Sequence, residues 1–232
     1  MAENRIRPGS VRIYNSAEKI VDWLRWADGD YIAARQLLLD GLLVQGAALS
    51  NTAIEKYFKT IFLIAQAPPP KTHDVPKLLH KLQERGVALN LNEDYIALLF
   101  KLYKLRYPDE LEKGFSVAID RTRMLTELDR SVFEIRKGFN IVGPFGPIDS
   151  TVEEFLKRGD GRLLTKNCFF GNAKKADLFE ETCGRFAMRV LGPRHLVWAE
   201  YETFGVPDKP NFHAEFAVAF SVNKMDGTLP VE

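Results

Sequence analysis

Cysteine is scarce in this chain. Only Cys168 and Cys183 occur among 232 residues, and their spacing matches no metal-ligand pattern. Two thiols do not build a disulfide framework, so both are expected reduced and buried. Histidine is nearly as rare, with four copies scattered at positions 73, 80, 195 and 213, which argues against a zinc site. The sequence therefore calls for no metal and no cofactor. An excess of either charge is missing too: 32 Lys and Arg face 31 Asp and Glu. That balance predicts no global pull on a membrane or a nucleic acid, so any phosphate contact needs a local patch. The opening "MAENRIRPGSVRIYN" lacks the apolar centre of a signal peptide. No run approaches the roughly 18 apolar residues of a membrane span. These absences predict a cytoplasmic protein with no membrane partner.

What the chain does have is apolar periodicity. From Ala17 to about Leu39, Ile20, Trp23, Leu24, Ala27, Tyr31, Ala34 and Leu38 recur at helical spacing, with Asp40-Gly41 as a stop. A second helix is expected from Val44 to Ala65, with a stripe of Ala47, Ala48, Ile54, Phe58, Ile61 and Phe62. Pro68-Pro69-Pro70 ends it. A third runs from Val75 to Arg85, a fourth from Asn92 to Arg106 before Pro108, and a fifth from Val117 to Lys137. Five helices with short links predict an antiparallel bundle over residues 17–138, making the fold mainly α.

After Phe139 the texture changes. "NIVGPFGPIDS" carries two Gly-Pro breaks and predicts a domain boundary. A short helix from Thr151 to Lys157, capped by Ser150 or Asp149, should follow. Strict alternation in "FHAEFAVAFSV" predicts a strand with Phe212, Phe216 and Phe220 on one face. "HLVWAEYETF" is a weaker strand candidate, with "GVPDKPN" as the link between the two. Residues 141–232 are thus expected to form a small α+β extension.

Polar groups interrupt the apolar stripes at a few places. Asn51 and Glu55 lie in or beside the stripe of the second helix, four residues apart, where burial demands partners. Arg106 continues the stripe of the fourth helix three residues beyond Tyr103. An unpaired guanidinium there would be costly, so a buried or half-buried Arg106–Glu55 pair, completed by Asn51, is expected. As a brace it is structural; as an open guanidinium it binds an anion. In "KTHDVPKLLHKL", Thr72 or Asp74 can cap the third helix, and Pro76 fits early in it. His73 either braces the link or acts directly on a ligand. Tyr107 can stack on a base or pack at the helix end. Lys56 and Lys59 flank the stripe within reach of a phosphate or as a solvated face. Trp23 and Trp26 suit core or dimer packing.

The order of "SNTAIEKYFKTIFL", the proline link into "KTHDVPKLLHKL", and "LYKLRYPDE" resembles the HEPN family, the higher-eukaryote-and-prokaryote nucleotide-binding domain. The likeness is to the branch similar to the C-terminal domain of kanamycin nucleotidyltransferase, over about residues 17–138. It implies an up-and-down bundle, commonly a homodimer, acting as an RNA-cleaving toxin, a partner of a small nucleotidyltransferase, or a nucleotide- or RNA-binding module. The nuclease branch uses Arg, then four to six residues, then His, near the dimer cleft. Such a pair stabilises a pentavalent phosphate and moves the 2′-hydroxyl proton. Here the positions five to seven beyond Arg106 are Leu111, Glu112 and Lys113, none of them a histidine. Arg189 and His195 meet the spacing, but outside the bundle and across Gly192-Pro193.

Three readings stand at this point. The leading one is a nucleotide- or RNA-binding and dimerisation module, in the toxin–antitoxin or defence setting the resemblance implies. Its surface would hold Asn51, Glu55, His73, Arg106 and Tyr107. The second is a metal-independent endoribonuclease with His73 as proton carrier and Arg106 as anion stabiliser. The third is a structural scaffold whose strands bind a partner.

Overall fold

The computed structural model describes residues 11–12, 17–139, 141–143, 146–192 and 195–204. The alternating stretch 212–222 and the link 205–211 lie outside the described residues. Helices α1 (Ala17–Leu39) and α2 (Leu43–Ile64) form the central hairpin. Gly41 turns the chain between them at φ +84°, a left-handed conformation that side chains with a Cβ resist. Just inside α2, a Cβ on Gly46 would lie 2.7 Å from Leu38 Cγ, so the two helices close tightly at this end. Leu24, Ala27, Tyr31 and Leu38 of α1 join Ala47, Ile54, Phe58 and Phe62 of α2 in one buried apolar core. Fully burying each large apolar side chain stabilises the fold by about 1.5–3 kcal/mol.

Helices α3 (Val75–Gln83) and α4 (Glu93–Tyr103) pack Leu78, Leu79 and Leu82, and Ile96, Leu99 and Leu102, onto the same core. The start of α3 is local chemistry. Asp74 accepts a hydrogen bond from Lys77 N at 2.9 Å, and Thr72 Oγ1 accepts one from Asp74 N at 3.1 Å. Pro76 sits in the first turn, where a missing donor costs little. Two of the three residues of the Thr-His-Asp stretch are therefore spent on starting a helix.

Two expectations need correction. The fourth helix stops as an α-helix at Tyr103, and Lys104–Arg106 and Pro108–Glu110 are single 3-10 turns. The helix expected from Val117 begins instead at Arg121, as α5 (Arg121–Arg136). The residues before it form strand β2 (Ser116–Asp120), with Val117 and Ile119 pointing inward. Asp120 ends the strand and caps α5, accepting from Arg123 N at 3.1 Å.

Strand β2 belongs to a three-stranded antiparallel sheet with β5 (Thr182–Gly192) and β6 (His195–Phe204), in the order β2-β5-β6. Val117 faces Met188 and Ile119 faces Phe186 in the β2–β5 register, and all four are buried against the bundle. Arg189 and His195 fall on the two antiparallel strands β5 and β6, opposite Val197 and Gly192 respectively. A second small sheet joins Val11–Arg12 (β1), Ile141–Gly143 (β3) and Gly146–Pro147 (β4). Helices α6 (Thr151–Arg158), α7 (Gly161–Leu164) and α8 (Lys175–Glu180) complete the described chain. Ser150 opens α6 in a capping box with Glu153.

Residues 150–167 are fastened to the bundle by buried charge. Asp28 and Arg35 of α1 and Asp129 and Arg136 of α5 are all buried. Arg136 donates to Asp28 at 2.5 Å and to Ser150 Oγ at 2.8 Å, and also contacts Glu153. Tyr57 OH donates to Asp28 at 2.6 Å. Burial and the adjacent Asp28 carboxylate push the Tyr57 phenol well above its ordinary pKa, so it stays a donor. Among the described residues, no helix is long and apolar enough to cross a membrane.

Candidate functional site

Glu55 is the point from which the site is built. Its place on α2 buries the carboxylate, and a buried carboxylate needs partners to offset its lost hydration. It has two. Lys59, one turn on, donates to Oε1 at 2.6 Å, and His73 Nδ1 lies 2.9 Å from Oε2. With Glu55 ionised, Nδ1 carries the hydrogen, and Nε2 is left without a hydrogen-bond partner among the described residues. The proline link that closes α2 thus delivers His73 to the surface of the helix it has just left.

His73 is tethered at one edge and open elsewhere, with 65% of its side chain exposed. Its ring stacks on Tyr103 at 5.6 Å between centroids and 24° between planes. Arg106 continues the pile: its guanidinium carbon sits 4.8 Å from the Tyr103 centroid and 5.5 Å from that of Tyr107. Cation–π contacts at exposed sites contribute about 0.5–1 kcal/mol. Tyr107 is 51% exposed. Behind the cluster Asn51 is fully buried. Its Nδ2 makes a long contact of 3.5 Å to the His73 carbonyl, and its Oδ1 has no partner among the described residues.

The structure brings Asn51, Glu55, His73, Arg106 and Tyr107 into one cluster, but not by the expected contact. Arg106 and Glu55 form no ion pair; Arg106 is exposed and lies over tyrosines instead. The 3-10 turn explains the difference. Three residues at 3.0 per turn advance about 360°, against 300° in an α-helix. Arg106 is swung off the apolar stripe by roughly one sixth of a turn.

Sequence reasoning missed Lys59 as the Glu55 partner and Tyr103 as the plate between His73 and Arg106. The first signal was present as an i,i+4 Glu–Lys pair. The second was hidden, because Tyr103 reads as one more stripe residue. Lys104 and Lys101 add charge nearby, over Phe100 at 5.3 Å and Phe115 at 5.4 Å. Partial burial, and then the neighbouring Lys104, lower the Lys101 pKa from its ordinary value. The surface therefore presents flat rings alternating with cations, the pattern that suits stacked bases and phosphate oxygens.

An up-and-down helical bundle with a histidine-bearing link between its second and third helices defines the class of this protein. The HEPN domain family matches residues 20–134, and the chain belongs to that family. No curated protein and no solved structure matches it.

Proposed function

We propose that this HEPN domain is a nucleotide- or RNA-binding module whose ligand lies on the His73–Tyr103–Arg106–Tyr107 stack. One observation carries the reading: His73, held at Nδ1 by a buried carboxylate, lies exposed on the Tyr103 ring, and the exposed Arg106 guanidinium lies over the Tyr103 and Tyr107 rings. A purely structural histidine would be covered. Asn51 and Glu55 set the floor of the site, Arg106 meets a phosphate, and the rings meet bases. Residues 17–138 are the working module and residues 141–232 an extension, which braces the module through Ser150, Glu153, Arg162 and Thr165. The family membership supports a homodimer, a nucleotidyltransferase-type partner and a cytoplasmic toxin–antitoxin or defence setting.

The Glu55–His73 contact also favours a second reading, an endoribonuclease. A carboxylate that fixes the Nδ1 tautomer presents Nε2 as a base, and Arg106 lies one ring away. The same experiment separates the two. Fluorescein-labelled single-stranded RNA is titrated with the protein while its anisotropy is followed, and each sample is then run on a denaturing gel. Binding of intact RNA that Arg106→Ala and Tyr107→Ala each weaken, by about tenfold on the scale of a lost stack, is the expected result. Cleavage abolished by both His73→Ala and Arg106→Ala installs the nuclease. RNA that neither binds nor breaks removes both.

A further inference from the structure

A second exposed ring lies across α2 from this stack. Trp26 of α1 is 67% exposed, which core packing does not explain. Lys56 Nζ sits 5.6 Å from its ring centroid and is held there by Asp30 at 2.6 Å. Lys56 and Lys59 are three residues apart on α2, so their stems are neighbours, with Cβ atoms about 5–6 Å apart. Lys59 is the residue that Glu55 holds, and Glu55 also holds His73. The contacts therefore form two groups, Trp26–Lys56–Asp30 and Lys59–Glu55–His73–Tyr103–Arg106–Tyr107, set side by side where Lys56 and Lys59 adjoin on α2. They cross the bundle from α1 over α2 to the end of α4. Two interaxial spacings of 8–10 Å put the ends of this band about 20 Å apart.

We infer that the ligand of the proposed site is a single strand of nucleic acid several nucleotides long, with Trp26 as a second stacking platform. The inference rests on the nucleotide- or RNA-binding reading above and extends it. A single nucleotide covers one end of a band this wide and leaves the other end empty. A duplex hides its bases from rings that lie on a surface, whereas a single strand offers a π-face at every base. The lysines between the platforms are already partnered, by Asp30 and Glu55, and so have fixed positions rather than searching ones. They mark the path of the sugar–phosphate chain between two stacked bases.

The test compares lengths. Anisotropy titrations use a labelled trinucleotide, a twelve-nucleotide single strand of mixed sequence as RNA and as DNA, and a twelve-pair RNA duplex. Each is titrated with wild type, Trp26→Ala, Trp26→Phe and Arg106→Ala, and the oligomeric state of every variant is measured by light scattering. Trp26→Ala should weaken the twelve-nucleotide strand about tenfold, leave the trinucleotide unchanged and keep the wild-type mass, while Trp26→Phe retains binding. The RNA and DNA arms show which sugar the band accepts. Equal affinity of wild type for trinucleotide and twelve-nucleotide strand overturns the inference. So does an unaffected Trp26→Ala, a preference for the duplex, or a loss that accompanies a change of mass. If Arg106→Ala fails to weaken even the trinucleotide, the parent reading is at fault rather than the band.

Discussion

The Arg35 guanidinium of α1, fully buried, donates its Nε–H to Asp129 Oδ1 of α5 at 2.7 Å. Seven residues earlier on α1 and seven later on α5, Asp28 meets Arg136 with the charges exchanged. Two helices with opposite charges at a seven-residue interval can form both pairs only if they run antiparallel and in one register. Arg35 also donates to the carbonyls of Arg162 at 2.5 Å and Thr165 at 2.8 Å. The seam thus fixes the bundle and fastens the chain after α6 to it in one step.

Removing one member of such a pair leaves a buried charge without its counter-ion, a loss of about 3–5 kcal/mol. Arg35→Met should lose that much stability in urea unfolding. Arg35→Met with Asp129→Leu should recover part of it. Recovery cannot be complete, because two carbonyls lose their donors as well, at about 1–3 kcal/mol for each buried orphan. A single variant within 1 kcal/mol of wild type would show that the seam does not hold the fold.

Acid dependence isolates another part of the seam. Burial pushes the Glu153 pKa up, but Arg136 and hydrogen bonds from Ser150 outweigh it and hold the carboxyl below its ordinary value. A carboxylate with a depressed folded pKa gives stability that is present above its unfolded pKa, and that stability is lost as pH falls through the folded pKa. Glu153→Gln keeps the capping-box geometry and removes the titration. Urea midpoints between pH 7 and pH 3 should therefore fall less steeply in the variant, with the two curves converging in acid. Parallel curves would show that Glu153 titrates alike in both states.

The helices were legible because each buries a continuous stripe, and a stripe is visible in one dimension. Strand β2 was not: Val117 and Ile119 alternate, but over five residues, and the helical pattern of α5 runs straight on from them. Asp120 was the mark of the true boundary, three residues before the N–H it caps. Of the site, Asn51, Glu55 and His73 could be read from burial demand and from the link. The partner of Glu55 was missed although Lys59 stands four residues on, since periodicity carried Arg106 into a stripe that a 3-10 turn then abandons. The Asp28, Arg35, Asp129 and Arg136 seam was present as charges within apolar stripes. Knowing which stripes face one another required the fold.

Glu55 and His73 should behave as one unit in ligand binding. Glu55→Ala frees the ring that it orients and leaves Lys59, half-buried, without its carboxylate. His73→Ala removes the ring itself. Each single change should weaken RNA binding to a similar degree, and the double variant should be scarcely worse than either. A coupling energy of about 0.5–3 kcal/mol is the range for residues in direct contact. Fully additive losses would mean that Glu55 and His73 meet the ligand separately or not at all.

Salt dependence should be shallow. Each phosphate neutralised on a single strand contributes about −0.7 to the slope of log K against log salt. Lys56 and Lys59 already answer Asp30 and Glu55, so strand binding there releases few counter-ions. Arg106 and Lys104 lie over rings and have no carboxylate partner among the described residues, which leaves one or two phosphates to neutralise. The slope over 50–200 mM salt should then lie between about −0.7 and −1.4, with stacking supplying most of the affinity. Arg106→Ala should flatten it further, whereas Trp26→Ala should lower affinity at every salt concentration and leave the slope unchanged. A wild-type slope steeper than about −3 would place the strand on some other, more basic surface of the protein.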